Sequence, residues 1–403
     1  MTRRRLLWVF LPFAGGYFLS YLYRTVNAVI APDLTAALGL TAAGLGLLTS
    51  AYFLTFALFQ LPLGMLLDRY GPRRVEAALL LLAVAGALLF ALSQGLAGLI
   101  LGRALIGLGV SACLMASFKA FVIWFPAERL PAVNGWVMGA GGLGALVATA
   151  PVEAMLHLTG WRGLFLILAL LTLAVAAAVF FLVPEAPQQR HGGGLREQLR
   201  GVREVFGSRT FWQVAPMTLF SQAGFLAIQG LWAGPWLRDV AGLERPAAAT
   251  VLLLTAAAMV AGYLSIGNLA YRLSRFGIRP IVVAGGGMTI FMGVQLGLVL
   301  HLPGPVLPLW MAFGFFGTAG ILPYAVLSQA FAPHLAGRVN TAINLLVFVV
   351  AFAWQWGIGA VINLWPVTDG RYHPAGYQAA FALVLALQAA GVAWFVLSSR
   401  RQR

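Results

Sequence analysis

Arg24, Arg103, Glu153 and His157 are ionisable residues that lie inside long apolar stretches of this chain. An arginine keeps its proton at neutral pH, so a guanidinium in apolar surroundings needs an acid, water or an anionic ligand. A carboxyl in the same surroundings can gain and lose a proton. Glu153 and His157 are four residues apart, which places both on one face of a helix. The pattern therefore indicates anion binding and proton transfer.

The stretches that carry these residues have the length of membrane-spanning helices. The chain has 403 residues, of which 61% are hydrophobic and 9% charged, and its mean hydropathy is +0.89. A soluble domain carries about 25% charged residues, so the surface of this chain must face lipid. A spanning helix needs about 20 apolar residues. This rule predicts an all-α membrane protein with twelve spans, at 8–31, 43–67, 74–93, 97–123, 132–157, 161–183, 211–237, 248–270, 279–301, 304–329, 336–363 and 375–398.

The net charge of +15 follows from the predicted topology. Most arginines fall at the N-terminus, in the 68–74 stretch, in the central 184–210 segment and at the C-terminus. The opposite side holds Arg162, Arg238, Arg245 and Arg371. An excess of arginine marks the cytoplasmic side, so we expect both termini to be cytoplasmic in a plasma (inner) membrane. Nucleic-acid binding is not needed to explain the charge.

Several kinds of chemistry have no sequence support. Cys113 is the single cysteine, so no disulfide framework is expected. There is no phosphate-binding loop, no Cys or His pair at metal-ligand spacing, and no serine–histidine–acid set on a soluble domain. We therefore predict no enzyme activity, no ATP-driven transport, no cofactor and no metal.

A charged motif between the second and third predicted spans carries a resemblance to a known family. We expect a tight loop here, because four charges and a Gly-Pro pair do not fit in hydrocarbon. The pattern resembles the loop between helices 2 and 3 of the major facilitator superfamily. A looser copy runs from Gly267 to Arg279, with Tyr271 in place of the acid, which indicates an internal repeat. The residues that match the motif are Gly64, Asp68, Arg69, Gly71, Arg73 and Arg74.

This resemblance implies two pseudo-symmetric six-helix bundles, predicted at 1–183 and 211–403, with a cytoplasmic linker at 184–210. The linker contains an amphipathic helical pattern or is a solvated connection. In the family the motif gates the transport pathway, and its acid and arginines hold the bundles together in the outward-facing state. The resemblance also implies alternating access around a central site in a monomer, with a small molecule and the lipid bilayer as partners.

The first predicted span resembles that of organic-anion carriers of the superfamily, which place an arginine here, followed by small residues and a proline. The resemblance implies that Arg24, with Tyr23 and Asn27, contacts the substrate. Arg103 and the glycines after it resemble the second motif of the superfamily, linked to proton handling. Because spans 1, 4 and 5 are neighbours in this fold, Glu153 and Arg103 are predicted proton-coupling residues. The alternatives are a structural ion pair for Glu153 and an Arg103 that extends to the outer interface.

The second half contributes uncharged polar groups that would line a central cavity and hold the uncharged part of a substrate. The alternative is hydrogen bonding between helices. These residues are Gln222, Gln229, Tyr324, Asn340 and Asn344.

Together these features predict a secondary transporter that moves a small organic anion, with the proton as coupling ion. The alternative is proton-driven efflux of lipophilic or cationic drugs, which the many aromatic residues would suit. Efflux of cations requires an unpaired acid in the membrane, and the sequence offers only Glu153. A transporter-like sensor that signals without flux is a third possibility, although no soluble output domain is present.

Overall fold

The computed structural model describes residues 6–126, 129–185, 195–301, 305–332 and 335–400, and the regular elements in this part of the chain are helices. A short π-helix, Leu6–Phe10, precedes the first α-helix. The α-helices cover Leu11–Thr25, Asn27–Leu38, Ala42–Leu92, Leu96–Gly109, Cys113–Trp124, Leu130–Val147, Ala150–Leu182, Leu195–Gly207, Arg209–Ala227, Ala233–Asp239, Arg245–Ser274, Pro280–Val299, Val306–Gly317, Leu322–Ala330, Ala336–Ile362 and Pro374–Arg400.

Two long helices each contain a break. Ala42–Leu92 has 51 residues. An unbroken helix of this length would measure about 75 Å, whereas the hydrocarbon layer is about 30 Å thick. Gly71 interrupts it with a φ of 78°, and Gly160 interrupts Ala150–Leu182 with a φ of 63°. Both values lie in the left-handed region, which only glycine adopts freely. Each of these helices therefore covers parts of two spans.

In the described part of the chain, ten helices are long and apolar enough to cross a membrane. With the interrupted helices at 11–38 and 130–159 added, the number of spans is the twelve that the sequence predicted. Prolines in the first helical turn begin several of them, including Pro246, Pro280 and Pro374, where a missing N–H costs no hydrogen bond. Spans 1 to 12 are residues 11–38, 42–70, 72–92, 96–124, 130–159, 161–182, 209–239, 245–274, 280–299, 306–330, 336–362 and 374–400.

The prediction of a loop at 64–74 is wrong, because these residues are helical except at Gly71. The helix of span 2 continues to Tyr70, and span 3 begins directly after Gly71. Pro72 has the backbone angle of a first helical turn, so the Gly-Pro pair needs one left-handed residue instead of a loop. The amphipathic pattern in the central segment is a helix, Leu195–Gly207, while residues 186–194 lie outside the described part of the chain.

The chain divides into two compact units, residues 1–39 with 47–192, and residues 40–46 with 193–403. Each exposes large apolar side chains along its spans, such as Leu170 and Phe181 in the first unit and Leu264 and Leu397 in the second. Such a surface is stable only in lipid, so the chain is a multi-pass membrane protein.

Glycines join equivalent pairs of spans inside each unit. In the first unit, a Cβ added at Gly107 of span 4 would overlap the Tyr52 carbonyl oxygen of span 2. In the second unit, a Cβ at Gly314 of span 10 would overlap the Thr255 carbonyl oxygen of span 8. Glycine lets membrane helices approach to backbone contact. Both units therefore use the same joint between their second and fourth spans.

Candidate functional site

If the twelve spans are taken in consecutive groups of three, the first span of each group is an interrupted helix. Span 1 is interrupted at Val26, span 4 at residues 110–112, span 7 by the π-helix Ile228–Trp232, and span 10 by the 3₁₀-helix Thr318–Ile321. Span 5 is also interrupted, at residues 148–149. Transporters place their binding sites at such interruptions, where backbone and side-chain polar groups are released for a ligand. The interruptions of spans 1 and 7 carry residues that the sequence selected.

Arg24 lies two residues before the interruption of span 1 and is 8% exposed. Its guanidinium carbon is 4.6 Å from the ring centre of Tyr21 and 5.3 Å from that of Phe56. Tyr52 accepts a hydrogen bond from it, and Tyr17 also interacts with it electrostatically. Aromatic faces stabilise a cation without neutralising its charge. The aromatic side chains of Tyr17, Tyr21, Tyr52 and Phe56 therefore surround the buried Arg24 guanidinium.

Tyr23 and Asn27 lie close to Arg24 in the sequence, and both side chains are buried. Their surroundings differ. The Tyr23 hydroxyl lies 3.0 Å from the Thr172 hydroxyl of span 6, so this side chain joins two spans. Asn27 begins the second helix of span 1 and is 1% exposed. Its Oδ1 atom has no hydrogen-bond partner among the described residues. Asn27 is thus the better-placed partner for a ligand.

Arg103 is completely buried, which excludes the interpretation that it extends to the membrane surface. Its guanidinium donates to the Tyr23 carbonyl oxygen at 3.1 Å. Its guanidinium carbon also lies 5.5 Å from the ring centre of Tyr52 and 5.9 Å from that of Phe90. Tyr52 therefore contacts both buried arginines and connects them.

Glu153 is 5% exposed, and its carboxylate lies 3.7 Å from Nε2 of His157, one turn further along the helix. The His157 side chain is 67% exposed. The predicted placement of both groups on one helix face is confirmed. The proton-coupling role predicted for Glu153 stays a prediction.

In the second unit, Gln222 and Gln229 are both buried on span 7. Gln222 packs against Gly320, where an added Cβ would lie 2.8 Å from the glutamine Cγ. Gln229 lies in the π-helical interruption and donates to the Met259 sulfur at 3.3 Å, a weak bond that a better acceptor could replace.

The other predicted polar residues of this unit lie on spans 10 and 11. The Tyr324 hydroxyl is 3.5 Å from Oδ1 of Asn344, at the outer limit for a hydrogen bond. Asn340 lies one turn before Asn344 and is half-buried. Both interpretations of these residues, cavity lining and helix–helix contact, are compatible with half-buried side chains.

The residues of the 64–74 motif surround the Gly71 break. Gly64 and Arg69 are exposed, and Arg69 lies 5.2 Å from the ring centre of Tyr70. Arg73 lies 5.1 Å from the ring centre of Phe180, and Arg74 forms an ion pair with Glu185 after span 6. The backbone of Asp68 is helical, but its side chain is outside the described part of the structure.

The sequence analysis did not select four of the buried polar residues, Glu76, Gln295, Gln388 and Asp239. Glu76 of span 3 is completely buried, so the prediction that Glu153 is the only acid in the membrane is wrong. Gln295 and Gln388 donate to each other across spans 9 and 12, at 3.1 and 3.2 Å. Asp239, at the end of span 7, accepts hydrogen bonds from Arg238 at 2.6 Å and Tyr377 at 2.7 Å. The rule that a span needs about 20 apolar residues depends on composition alone, so it does not show whether a polar side chain points into the protein or outward.

Comparisons with known proteins agree with this geometry. The family model of the Major Facilitator Superfamily matches residues 13–355. A probable sulfoacetate transporter of Cupriavidus necator is 24% identical, with 84% of each chain covered. A probable L-galactonate transporter of Escherichia coli is 25% identical over 83% of this chain and 78% of its own. A hexuronate transporter of Bacillus subtilis is 23% identical over 90% of each.

Solved structures show the same fold. A bacterial homologue of the human lysosomal transporter Spinster, in its inward-facing and unoccupied conformation, has a TM-score of 0.80 at 18% identity and covers 99% of this chain. The aligned region is 98% of that chain. A D-xylose–proton symporter has a TM-score of 0.71 at 16% identity, with 94% of this chain and 95% of its own covered. Twelve spans in two repeated units, the motif at Gly71 and the family match lead to one conclusion: the chain belongs to the major facilitator superfamily of membrane transporters.

Proposed function

We propose that this protein is a proton-coupled carrier of a small organic anion. The observation that carries the proposal is Arg24, a buried guanidinium held by aromatic groups at the interruption of span 1. An arginine in this state gives an incoming carboxylate or sulfonate two parallel hydrogen bonds and a full opposite charge. The Oδ1 atom of Asn27, which has no hydrogen-bond partner in the described part of the chain, would accept a hydrogen bond from a substrate hydroxyl.

The relatives' substrates support this class of solute. The proteins named as carriers of sulfoacetate, L-galactonate and hexuronate all handle small anions, and a putative tartrate transporter is 25% identical over 43% of this chain. Three of these four anions carry several hydroxyl groups. The amides and hydroxyl of the second unit, Gln222, Gln229, Tyr324, Asn340 and Asn344, are the groups proposed to bind them.

The remaining parts of the proposal concern coupling and orientation. Glu153 and Arg103 are proposed proton-coupling residues, and transport would proceed by alternating access. Asp68, Arg69, Arg73 and Arg74, with Gly64 and Gly71, form the proposed gate. The proposed location is the inner membrane with both termini in the cytoplasm, which the arginine distribution supports. The proposed active form is a monomer.

The first test is a ligand-induced thermal shift of the purified protein with sulfoacetate, L-galactonate, a hexuronate, tartrate and a set of lipophilic cations. We expect stabilisation by at least one anion, and its loss in Arg24→Ala. Arg162→Ala is the matched control, because Arg162 also lies over an aromatic ring, 4.0 Å from the centre of Trp161, but has no part in the proposed site.

Two outcomes contradict the proposal. Stabilisation by cations alone, unchanged in Arg24→Ala, would make Arg24 a structural residue and move the assignment to drug efflux. Anion stabilisation of equal size in wild type and Arg24→Ala would place the anion elsewhere.

A further inference from the structure

Glu76 is a carboxyl inside the first unit that the proposed mechanism does not use. It lies on span 3 and is 0% exposed. A Cβ added at Gly16 of span 1 would overlap its Oε1 atom, so the glycine makes room for the carboxyl. The Cys113 thiol of span 4 faces it. Glu76 thus occupies a small chamber between spans 1, 3 and 4.

No cation balances this carboxyl among the residues that the structure describes. Apart from the Cys113 thiol, which is a weak donor, neither oxygen of Glu76 has a hydrogen-bond partner there. The arginines that precede it on its own helix are directed elsewhere, Arg73 onto Phe180 and Arg74 to Glu185. An isolated carboxylate in such a place is strongly disfavoured, so the conformation described here favours the neutral acid.

Cys113 also links this chamber to the anion site. The Arg24 guanidinium acts electrostatically on the Cys113 thiol, which in turn faces Glu76. An anion bound at Arg24 would therefore change the electrostatic potential at the Cys113 thiol. Coupled transport requires that anion binding and protonation of Glu76 affect each other to the same extent.

The chamber is also close to one end of its span. Glu76 lies three residues after Arg73, about 4.5 Å along the helix axis from an interfacial arginine. A small separation of spans 1 and 3 at this end would expose the carboxyl to water, and the acid would then release its proton. Glu153 has no such chamber, because its partner His157 is largely exposed.

We propose that Glu76 is the group that binds and releases the coupling proton. This deepens the proposed function and rests on it, since it requires that transport is proton-coupled. The step is the reversible addition of one proton to a carboxylate oxygen, with no covalent intermediate. In this scheme Glu76 holds the coupling proton in place of Glu153, the coupling residue proposed above, and Glu153 is a local partner of His157.

The main test compares two transport modes in proteoliposomes with the four anions named above. One mode is uphill accumulation driven by an imposed pH gradient, and the other is exchange of labelled for unlabelled anion at equal pH. We expect Glu76→Gln to retain exchange and to lose about tenfold or more of the pH-driven accumulation, within the usual range for coupling between two sites. Asp369→Asn is the control, because it removes one exposed carboxylate outside the spans.

The outcomes separate the two proposals. Accumulation that is unchanged in Glu76→Gln, while the wild type is proton-driven, overturns the role of Glu76 and leaves the proposed function intact. A wild type that exchanges an anion but never accumulates it with a pH gradient overturns proton coupling itself. A wild type that binds none of the anions overturns the proposed function.

A second measurement does not depend on how well Glu76→Gln folds. Cys113 is the only cysteine, so the infrared S–H stretching band of the intact protein reports on this chamber alone. We expect the band to move as Glu76 titrates and to move back when an anion is added at constant pH. Cys113→Ala should remove the band and so confirms its origin. A band that stays fixed over the pH range of transport contradicts the proposal.

Gly16→Ala provides a variant that keeps the carboxyl. The new methyl group would overlap Oε1 of Glu76 and displace it, so we expect a shifted pH dependence of accumulation with exchange retained. Gly15→Ala is the matched control, because its methyl group would meet only Val175, at 3.3 Å. Identical pH profiles for the two variants would show that the carboxyl position is irrelevant to coupling.

Discussion

Spans 1 and 7 occupy equivalent places in the two units, and both helices are interrupted, but they carry different polar groups. Span 1 has Arg24 beside its interruption, whereas span 7 has Gln229 in its π-helix. The difference extends through each unit. Among the described residues, the first unit buries four charged side chains, whereas the second buries one, Asp239. The second unit instead buries five glutamines, compared with one, Gln60, in the first. The four charged residues are Arg24, Glu76, Arg103 and Glu153, and the five glutamines are Gln222, Gln229, Gln295, Gln355 and Gln388.

The shared features are those of packing. Both units have interrupted first and fourth spans, and both join their second and fourth spans through glycine against a carbonyl oxygen. The comparison teaches that the repeated architecture can be kept while its polar groups take up separate tasks. Charge recognition and proton binding would belong to the first unit, and recognition of the neutral part of the solute to the second.

The division of tasks between the two units predicts its largest effect for a change in anion affinity. Arg24→Ala should weaken binding by about 2–5 kcal/mol, as expected when one partner of a buried charge pair is removed. Gln222→Ala, in the second unit, should weaken it by about 1 kcal/mol, the contribution of one neutral hydrogen bond. Isothermal titration of detergent-solubilised protein would measure both. Equal losses would mean that the two units share charge recognition.

The glycine joints should be equally sensitive in both units. Gly107→Ala and Gly314→Ala each place a methyl group on a backbone oxygen, so we expect each to lower the free energy of unfolding by about 3 kcal/mol, at the upper end of overpacking effects. Gly139→Ala and Gly285→Ala are the controls, since an added Cβ meets nothing within 4 Å at either position. They should be neutral or stabilise by up to about 1 kcal/mol. Thermal unfolding would show whether only one joint matters.

A smaller effect is expected at the amide pair of spans 9 and 12. Gln295→Leu or Gln388→Leu alone leaves one buried amide without its partner and should destabilise by about 1–2 kcal/mol, whereas the double variant should be nearly neutral. Anion exchange should be unchanged in all three. Loss of exchange in the double variant would place this pair in the solute pathway and extend the task of the second unit.

The smallest effect is expected for Tyr324→Phe. Its hydroxyl is 3.5 Å from Asn344, so the lost bond should contribute less than about 1 kcal/mol to anion affinity. Competition binding against the tightest anion would detect it. A loss as large as that of Arg24→Ala would make Tyr324 a principal ligand and contradict the division between the units.

The sequence alone was sufficient for features that depend on residue type and length. Twelve apolar stretches predicted twelve spans, and the scarcity of charge made Arg24 and Arg103 conspicuous. The sequence was insufficient where the role of a residue depends on the direction in which its side chain points. Glu76 follows two arginines closely and therefore resembles an interfacial charge, yet its side chain points into the bundle.

Contacts between distant residues were also beyond prediction. Gln295 and Gln388 are 93 positions apart, and nothing in either local sequence indicates the other. At Pro72 the local sequence predicted the wrong structure, because a Gly-Pro pair usually predicts a turn. Here the proline suits a helix start, and Gly71 alone makes the connection.

That one-residue connection has a consequence for biosynthesis. Spans 2 and 3 cannot be inserted independently, because no linker separates them at Gly71. They must enter the bilayer as one helical hairpin, with the arginines of the turn, Arg69, Arg73 and Arg74, left at the surface. A β-branched residue at position 71 would oppose the left-handed backbone at the moment the hairpin closes. The defect would then appear as protein degraded during synthesis, before any transport could be measured.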